Sequence, residues 1–381
     1  MFYFTSNLCS FISFPMKRFA VIFFIYFSLV ACLRGQENSD ITVVRKNLAH
    51  NYNGKTFENT VPTDLIREGA MLSTLWRFCT KGHRHPEHAF HFTPDSLTKL
   101  PDADGLKVMW LGHASVLIEI DGKRFLTDPV FSNRTSPYDK SHILNFLWSK
   151  RFFPAPLNVA GLPNLDGVLI SHDHSDHLDY QTIIELGKTG VRFFVPLKVG
   201  DILASWGISR QQITEINWWD SISIGKTHAL VATPARHDSG RKPFFGKRDR
   251  TLWCSWVIAG PKHRVFFGGD TGYSPDFKKI GDVYGPFDID FLPIGAYDRN
   301  WPYIHMTPEE AVEAHDDLKG KVLFPIHWGT FNVAIHPWDE PVKRFMNAGQ
   351  TQHINYCLPS PGKLVVWPNT EIHSRWWEAE D

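Results

Sequence analysis

The stretch Ser171-His172-Asp173-His174-Ser175-Asp176-His177-Leu178-Asp179 guides the interpretation of the whole chain. It places three histidines and three aspartates in nine consecutive positions. The apolar run Val168-Leu169-Ile170 precedes it and is typical of a buried strand. Imidazole nitrogens and carboxylate oxygens are ligands that zinc and similar divalent ions bind in proteins. The sequence therefore predicts a metal site where this strand ends.

The spacing of these residues favours two neighbouring ions. Side chains two positions apart in an extended chain point in the same direction, so His172 and His174 can bind one ion together. If the chain turns into a helix at Asp176, that residue and His177 can face a second ion. A single histidine is more often an ordinary core or surface residue, and short motifs carry false positives. Four ligand-type residues within six positions are harder to explain in that way.

The composition excludes some functions. Of the 381 residues, 43% are hydrophobic and 21% are charged, which is an ordinary globular composition. Lys and Arg total 40, as do Asp and Glu, so the formal net charge is zero. A balanced charge gives no reason to expect a polyanionic partner, and we expect no nucleic-acid binding.

The N-terminal region has the pattern of an export signal. Lys17 and Arg18 precede the apolar run from Phe19 to Leu29, which is too short for a comfortable membrane span. The following Val30-Ala31-Cys32 completes a sequence that resembles a bacterial lipobox, in which the cysteine receives a lipid and becomes the new N-terminus. The pattern predicts an exported lipoprotein anchored at the periplasmic or extracellular face of a membrane. A plainly cleaved signal, and hence a secreted protein, is the alternative.

The predicted division of the chain follows from these patterns. Residues 1–35 are the expected export signal, and the polar residues 36–60 are an expected tether. Residues 61–381 are the expected folded domain, with its core at about 105–340.

Strand-like and helix-like segments alternate along this domain. Val116–Ile120 and Arg124–Thr127 flank Asp121-Gly122, a strong signal for a two-residue hairpin turn. Thr307-Pro308-Glu309-Glu310 combines an N-cap, a proline at the first helical position and a capping-box glutamate. The alternation predicts a layered α/β fold. Further predicted helices cover 62–77, 180–186, 199–206 and 337–346, and 107–120, 213–224 and 252–267 contain further strand-like runs.

Ligand-type side chains follow four of the predicted strands. His172 follows Val168-Leu169-Ile170, and the other three such residues are His237, Asp270 and His327. Sites at the carboxyl ends of strands are usual in α/β proteins. We therefore expect these distant parts of the chain to meet.

The residues and their order along the chain resemble the metallo-β-lactamase superfamily. The superfamily pattern is His172-x-His174-x-Asp176-His177, followed by His237, Gly269-Asp270-Thr271 and His327. Other stretches resemble its N-acylphosphatidylethanolamine-hydrolysing phospholipase D branch. These stretches are Trp110-Leu111-Gly112-His113-Ala114, Leu126-Thr127-Asp128-Pro129, Thr233-Pro234-Ala235-Arg236-His237, Gly268-Gly269-Asp270-Thr271-Gly272-Tyr273 and Ile326-His327-Trp328-Gly329-Thr330.

The resemblance implies a four-layer αββα sandwich with two zinc ions at one edge of its sheets. It assigns His172, His174 and His237 to one zinc. It assigns Asp176, His177 and His327 to the other, with Asp270 bridging the two. In two-metal sites generally, ions roughly 3.5–4 Å apart activate a water and hold the oxygens of the group that is cleaved.

The resemblance also implies roles around the metals. Asp176, Asp270 and His305 are the expected catalytic residues, and His305 is expected to orient substrate or to donate a proton. Asp173 and Asp179 are expected to fix the orientation of the imidazoles. His113 and Asp128 are candidates for the same role or for ordinary structural polar groups. Asp238 departs from the family pattern, because an aromatic residue is common at that position in relatives.

Three functions remain open on the sequence alone. The first is a zinc phosphodiesterase that hydrolyses N-acylphosphatidylethanolamine to N-acylethanolamine and phosphatidic acid beside a membrane. The second is a hydrolase of the same fold that acts on another ester, a lactone or a soluble phosphodiester. The third is a metal-binding scaffold without catalysis, which the complete set of ligand-type residues disfavours.

Overall fold

The structure is a computed structural model that describes residues 41–46, 51–67, 69–80, 82, 84–96, 105–137, 148–241 and 247–378. The predicted export signal, with its lipobox cysteine, lies outside the described residues. Within these ranges, none of the helices has the length and apolar character needed to cross a membrane.

The described chain forms two mixed β-sheets and a set of helices. The strands are β1 (Ile41–Val44), β2 (Leu106–Trp110), β3 (Val116–Ile120), β4 (Lys123–Thr127), β5 (Gly167–Leu169), β6 (Phe193–Pro196), β7 (Ile213–Ile216), β8 (Ser221–Ile224), β9 (His228–Thr233), β10 (Ser255–Ala259), β11 (Arg264–Phe267), β12 (Ile289–Pro293), β13 (Leu323–Ile326) and β14 (Leu364–Val366). The α-helices are α1 (Ala70–Thr80), α2 (Tyr180–Gly187), α3 (Val199–Ser205), α4 (Asp276–Tyr284), α5 (Pro308–Leu318) and α6 (Glu340–Gln352).

Each sheet has seven strands. The first sheet has the order β1-β8-β9-β10-β11-β12-β13, and the second has the order β14-β2-β3-β4-β5-β6-β7. In the first sheet β11, β12 and β13 run parallel to one another, and in the second β4, β5, β6 and β7 do so. The remaining neighbours are antiparallel.

Alternating side chains on each strand build two hydrophobic layers. On β3, Val116 and Ile118 enter the core between the two sheets, whereas Leu117 enters a second core beneath α2 and α3. Ile183 and Leu203 supply the helical side of this second core. Helices α4, α5 and α6 contribute to the larger core on the side of the first sheet. The predicted four-layer αββα sandwich is confirmed.

The predicted β3–β4 hairpin is present with the expected turn. Asp121 and Gly122 have φ angles of 46° and 94°, and positive φ at both central residues is typical of a type I′ turn. The Asp121 carboxylate also accepts hydrogen bonds from the backbone N–H groups of Lys262 and His263. The turn of one sheet is thereby attached to the β10–β11 turn of the other.

Some predicted strands are divided in the structure. The run 107–120 forms β2 and β3, because Gly112 and His113 have φ angles of 98° and 54° and reverse the chain. The run 213–224 forms β7 and β8, which belong to different sheets. Residues 217–220 carry the chain between the two sheets, and Trp219 adopts φ of 68° there. A continuous alternating pattern gives no sign of such a crossing.

Helix boundaries also differ from the sequence prediction. Helix α1 begins at Ala70 rather than near residue 62, directly after Gly69 with φ of 71°. Helix α2 begins at Tyr180 with Asp179 as its N-cap, so Asp176 lies in a turn and not at a helix start. The expected helix at 337–346 begins later, at Glu340, and extends to Gln352.

Part of the predicted tether belongs to the folded body. Residues 41–44 form β1, which pairs with β8 at the edge of the first sheet. The side chain of Asn59 bonds to the backbone of His237. The prediction of a tether over 36–60 is corrected accordingly for these residues, because their polar composition concealed specific contacts.

The capping box at the start of α5 offers a test of local stability. Thr307 accepts a hydrogen bond from the Glu310 backbone N–H, and the Glu310 carboxylate accepts one from the Thr307 N–H. We expect Thr307→Ala to lower the free energy of unfolding by about 1 kcal/mol. Thr307→Ser keeps the hydroxyl and should lose much less. Chemical denaturation followed by tryptophan fluorescence measures both, and equal losses would contradict the capping role.

Candidate metal centre

Four strand ends bring the predicted ligand residues together. His172 lies just beyond β5 of the second sheet. His237, Asp270 and His327 follow β9, β11 and β13 of the first sheet. The site therefore lies where carboxyl ends of strands from both sheets meet. The structure gathers all seven predicted positions there: His172, His174, Asp176, His177, His237, Asp270 and His327.

Three imidazoles form the first group of candidate ligands. One nitrogen each of His172, His174 and His237 lies within 4.8 Å of the others. The His172 ring is nearly perpendicular to the other two, with ring centroids 4.5 Å from His174 and 4.7 Å from His237. Three converging imidazole nitrogens are a common ligand set for zinc.

A carboxylate and imidazoles form the second group. Asp176, His177 and His327 each offer an atom within 4.8 Å of the others, and His113 is a further member of this group. His113 Nε2 lies 3.1 Å from Asp176 Oδ2 and forms a hydrogen bond with it. His113 is thus placed to orient the Asp176 carboxylate.

Asp270 lies between the two groups. Its Oδ2 is 3.1 Å from His177 Nε2, and its Oδ1 is 3.1 Å from His327 Nε2. Oδ2 is also 3.9 Å from His237 Nε2, which belongs to the first group. A carboxylate in this position can bridge two ions.

Within the part of the chain that the structure describes, several buried polar atoms of these residues have no partner with hydrogen-bond geometry, although His177 Nε2 and His327 Nε2 each lie 3.1 Å from an Asp270 oxygen. They include the Nε2 atoms of His172, His177 and His327, and Oδ1 of Asp270. Leaving a buried polar atom unpaired costs about 1–3 kcal/mol, so a concentration of such atoms requires an explanation. Metal ions would satisfy these lone pairs, and the donor set of imidazoles and carboxylates fits divalent metals. The residues present therefore fit the metal centre that the fold implies.

Other polar groups hold the candidate ligands in place from behind. Asp128 Oδ2 lies 2.8 Å from His177 Nδ1 and accepts a hydrogen bond from Ser171 Oγ at 2.5 Å. Ser171 Oγ is in turn 2.9 Å from His172 Nδ1. One buried carboxylate thus orients one imidazole directly and a second through a hydroxyl, an arrangement that fixes which nitrogen faces the metal.

Contrary to the prediction, the carboxylates of Asp173 and Asp179 bond to groups other than the imidazoles. Asp173 accepts a hydrogen bond from the Gly240 N–H, and Asp179 accepts bonds from Ser132 and Thr182 at the start of α2. Both side chains therefore hold the backbone around the site. The sequence alone could not separate them from Asp128, which follows a different predicted strand, because all three residues are aspartates close to predicted strand ends.

His237 depends on groups that the sequence analysis missed. Its Nδ1 lies 2.9 Å from the carbonyl oxygen of Ile304, and its backbone bonds to Asn59. A backbone carbonyl leaves no trace in the sequence, and Asn59 lies in a segment that looked like a tether.

The turn that carries His113 connects to the end of β13. The His113 N–H donates to Thr330 Oγ1 at 2.7 Å, and the His113 carbonyl accepts from the His327 N–H at 3.0 Å. His327 itself has a positive φ of 62°. Two backbone segments with unusual dihedral angles therefore support each other beside the second group of ligands.

His305 lies beside Asp270 and faces the site. Its Nδ1 is 3.8 Å from Asp270 Oδ2 and has no hydrogen-bond partner among the described residues. The His305 loop approaches Gly272 closely, and a Cβ at position 272 would overlap the carbonyl oxygen of Tyr303. The absence of a side chain at Gly272 therefore allows the loop to bring His305 near Asp270.

Asp238 lies beside the first group of candidate ligands. Its Oδ2 lies 3.3 Å from Arg248 Nη1 and 3.9 Å from His174 Nε2. A carboxylate is therefore paired with an arginine at the position where the family resemblance leads us to expect an aromatic residue.

Burial and neighbouring charges divide the imidazoles into two kinds. Burial lowers the pKa of His172 well below 6.5 and that of His237 to about 4, so both are neutral at pH 7 with a free lone pair. Burial also acts to lower the pKa of His177, but the charges of Asp270 and Asp176 outweigh it and raise that pKa well above 6.5. Burial acts to raise the pKa of Asp270, yet His177 and His327 hold it well below its usual value.

Comparison with known proteins adds to this geometry. A family model described as a beta-lactamase superfamily domain matches residues 123–328, which include all seven candidate ligands. An uncharacterized protein of Mycobacterium tuberculosis is 47% identical over 280 residues, 72% of this chain and 73% of that protein. The N-acyl-phosphatidylethanolamine-hydrolyzing phospholipase D 1 of Caenorhabditis elegans is 38% identical over 260 residues, 64% of this chain and 70% of that protein.

A solved structure shares the fold. The isothiocyanate hydrolase from Delia radicum gut bacteria aligns with a TM-score of 0.54 and 16% identity. The alignment covers 69% of this chain and 99% of that one. At this identity the likeness concerns the fold alone.

The position of Asp128 predicts its effect on metal binding. Its two oxygens accept from Ser171 N–H, Ser171 Oγ–H and His177, and Asp128→Asn would turn an NH₂ group towards one of these donors. We expect the variant to bind zinc ~10- to 100-fold more weakly, measured by competition with a chelator.

Asp179→Asn is the matched control for this variant. It alters a buried aspartate that caps α2 and touches no candidate ligand side chain. It should lower thermal stability and leave zinc affinity nearly unchanged. Unchanged affinity in Asp128→Asn, or equal losses in both variants, would show that Asp128 does not orient the imidazoles.

Proposed function

The chain belongs to the metallo-β-lactamase superfamily, and on that basis we propose that it is a zinc-dependent phosphodiesterase with phospholipase D-type activity. The observation that carries the proposal is Asp270, which lies between two groups of ligand-type side chains. Among the described residues, the buried Nε2 atoms of His172, His177 and His327 in these groups have no partner with hydrogen-bond geometry. Such an arrangement suits the cleavage of a phosphodiester, in which oxygens on both sides of phosphorus must be held.

The proposed assignment of ligands follows the two groups. His172, His174 and His237 would hold one zinc. Asp176, His177 and His327 would hold the other, and Asp270 would contact both. When bound, the two ions would supply an activated water and neutralise charge on the phosphoryl oxygens.

The remaining residues would position the substrate and move a proton. A new bond forms between the water oxygen and phosphorus, and the bond from phosphorus to the alcohol oxygen breaks. His305 lies beside Asp270, and burial lowers its pKa well below 6.5, so it is neutral at pH 7. A neutral imidazole can donate a hydrogen bond from its N–H to a substrate oxygen, or relay to the leaving alkoxide the proton that the attacking water loses.

The proposed substrate is N-acylphosphatidylethanolamine, which would yield N-acylethanolamine and phosphatidic acid. The similarity to the Caenorhabditis elegans enzyme whose name states this activity supports the choice. The five sequence stretches that resemble this branch surround the candidate ligands and support it further. A soluble phosphodiester, another ester or a lactone is the alternative substrate class.

Metal analysis and a substrate panel on the same sample test the function. We expect the purified protein to hold about two zinc ions per chain and to release phosphatidic acid from N-acylphosphatidylethanolamine, measured by mass spectrometry. Turnover of a soluble phosphodiester without phosphatidic acid would identify the alternative class. Absence of bound zinc after loading and dialysis would contradict the metal centre itself.

Asp270→Asn provides the internal check in that panel. It removes the charge that would bridge the ions while nearly preserving side-chain shape, so hydrolysis should fall to background in a folded protein. Asp282→Asn is the matched control, because Asp282 lies on α4 and pairs with Lys319 at 2.6 Å on the surface. It should retain activity.

We further propose that a lipid on Cys32 anchors the protein to a membrane, beside its substrate. The support is the sequence pattern around Cys32 alone. Metabolic labelling with palmitate in a bacterial host should mark the protein, and Cys32→Ser should remove the label and release the protein from the membrane fraction. Equal labelling of both proteins would contradict the anchor.

A further inference from the structure

The segment of residues 51–67 runs beside His237 and lies upstream of the part of the chain that the superfamily model matches. We infer that Asn59, within this segment, is a positioning residue that fixes where His237 presents its imidazole to the metal centre. The inference rests on the proposed function in one respect, since it takes His237 to be a zinc ligand.

Asn59 forms a two-sided contact with the backbone of His237. Its Nδ2 donates to the His237 carbonyl oxygen at 2.8 Å, and its Oδ1 accepts from the His237 N–H at 3.0 Å. One side chain thereby pairs with both the backbone N–H and the backbone C=O of His237. This is the pairing that a neighbouring β-strand would otherwise supply.

The contact specifies asparagine rather than a similar residue. Oδ1 also accepts from Trp253 Nε1 at 3.1 Å, so the oxygen faces two N–H donors while the amide nitrogen faces a carbonyl. Aspartate would keep both acceptor bonds and set an oxygen against the His237 carbonyl. Alanine would lose all three bonds.

His237 itself lies outside the sheet, and the nearest backbone bridge joins the preceding Arg236 to Gly272. Strand β9 ends at Thr233, four positions before His237. The Ile304 carbonyl fixes the ring through Nδ1, whereas Asn59 fixes the backbone. Together the two contacts determine the position of Nε2, which lies 3.3 Å from His174 Nδ1 in the first group of candidate ligands.

The segment is attached to the body by separate polar contacts. Arg236 donates from Nε to Thr63 Oγ1 and from Nη2 to the Pro62 carbonyl, each at 3.0 Å. A cavity of about 430 Å³ lies between residues 57–65 and the body. Because packing is incomplete there, it would not compensate for the loss of the Asn59 bonds.

The comparison of Asn59→Ala with two control variants tests the inference. Thr63→Val removes a segment contact without touching His237, and Asn53→Ala removes only bonds within the segment. Zinc affinity of the purified full chain is measured by competition with a fluorescent chelator, and melting temperatures are measured after zinc removal. We expect Asn59→Ala to weaken binding of one zinc by ~10- to 100-fold. Both controls should stay within about twofold of the parent.

Asn59→Asp gives a second measurement should the alanine variant fail to fold. It keeps the bonds to Trp253 and to the His237 N–H but places a carboxylate oxygen against the His237 carbonyl oxygen. Zinc affinity should therefore fall with little change in melting temperature. Parental affinity in the folded Asn59 variants, or an equal loss in Thr63→Val, would overturn the positioning role while leaving the metal centre intact. A parent chain that binds no zinc would instead overturn the proposed function and, with it, this inference.

Discussion

Burial of unpaired imidazole nitrogens and carboxylate oxygens is the constraint on which this structure depends. Each such atom costs about 1–3 kcal/mol without a partner, and His172, His177, His327 and Asp270 place theirs in one location. A chain that gathers them must recover that free energy, and divalent cations are the partners whose chemistry fits the donor set. The surrounding hydrogen bonds follow the same logic, because Asp128, Ser171 and the Ile304 carbonyl bond to the Nδ1 atoms of His177, His172 and His237, respectively. Because one nitrogen of each of these rings is bonded to a group outside the site, the other nitrogen faces the candidate metal centre.

The two-sheet architecture explains how these residues reach one another. The candidate ligands from His172 to His177 follow β5 of the second sheet. The other candidate ligands follow β9, β11 and β13 of the first sheet. The common core between the sheets fixes the positions of these strand ends relative to one another. The bonds from the Asp121 turn to residues 262 and 263 attach the two sheets at a point away from the site. His237 lies four positions beyond the end of β9, and an upstream side chain, that of Asn59, holds its backbone.

Sequence reasoning succeeded where the determinants are local or periodic. The Asp121-Gly122 turn and the Thr307 capping box each depend on a few adjacent residues, and both are present. The four-layer fold and the meeting of the strand ends followed from strand order and family resemblance. The division of 213–224 between two sheets was not predicted, because an apolar alternation looks the same on either side of a crossing. The contacts of Asn59 and the Ile304 carbonyl were missed for a different reason: they join distant backbone groups, and backbone groups carry no sequence signal.

The close contact at Gly272 has a consequence for how substrate recognition can vary. The backbone of Gly272 lies directly against the backbone of Tyr303. Main-chain atoms therefore set the spacing between the segment that follows β11 and the loop at Tyr303. Side chains elsewhere on the loop can then change without moving His305 away from Asp270. Diversification of such a loop would alter the side chains that border the candidate metal centre and would leave the 3.8 Å separation between His305 Nδ1 and Asp270 Oδ2 unchanged.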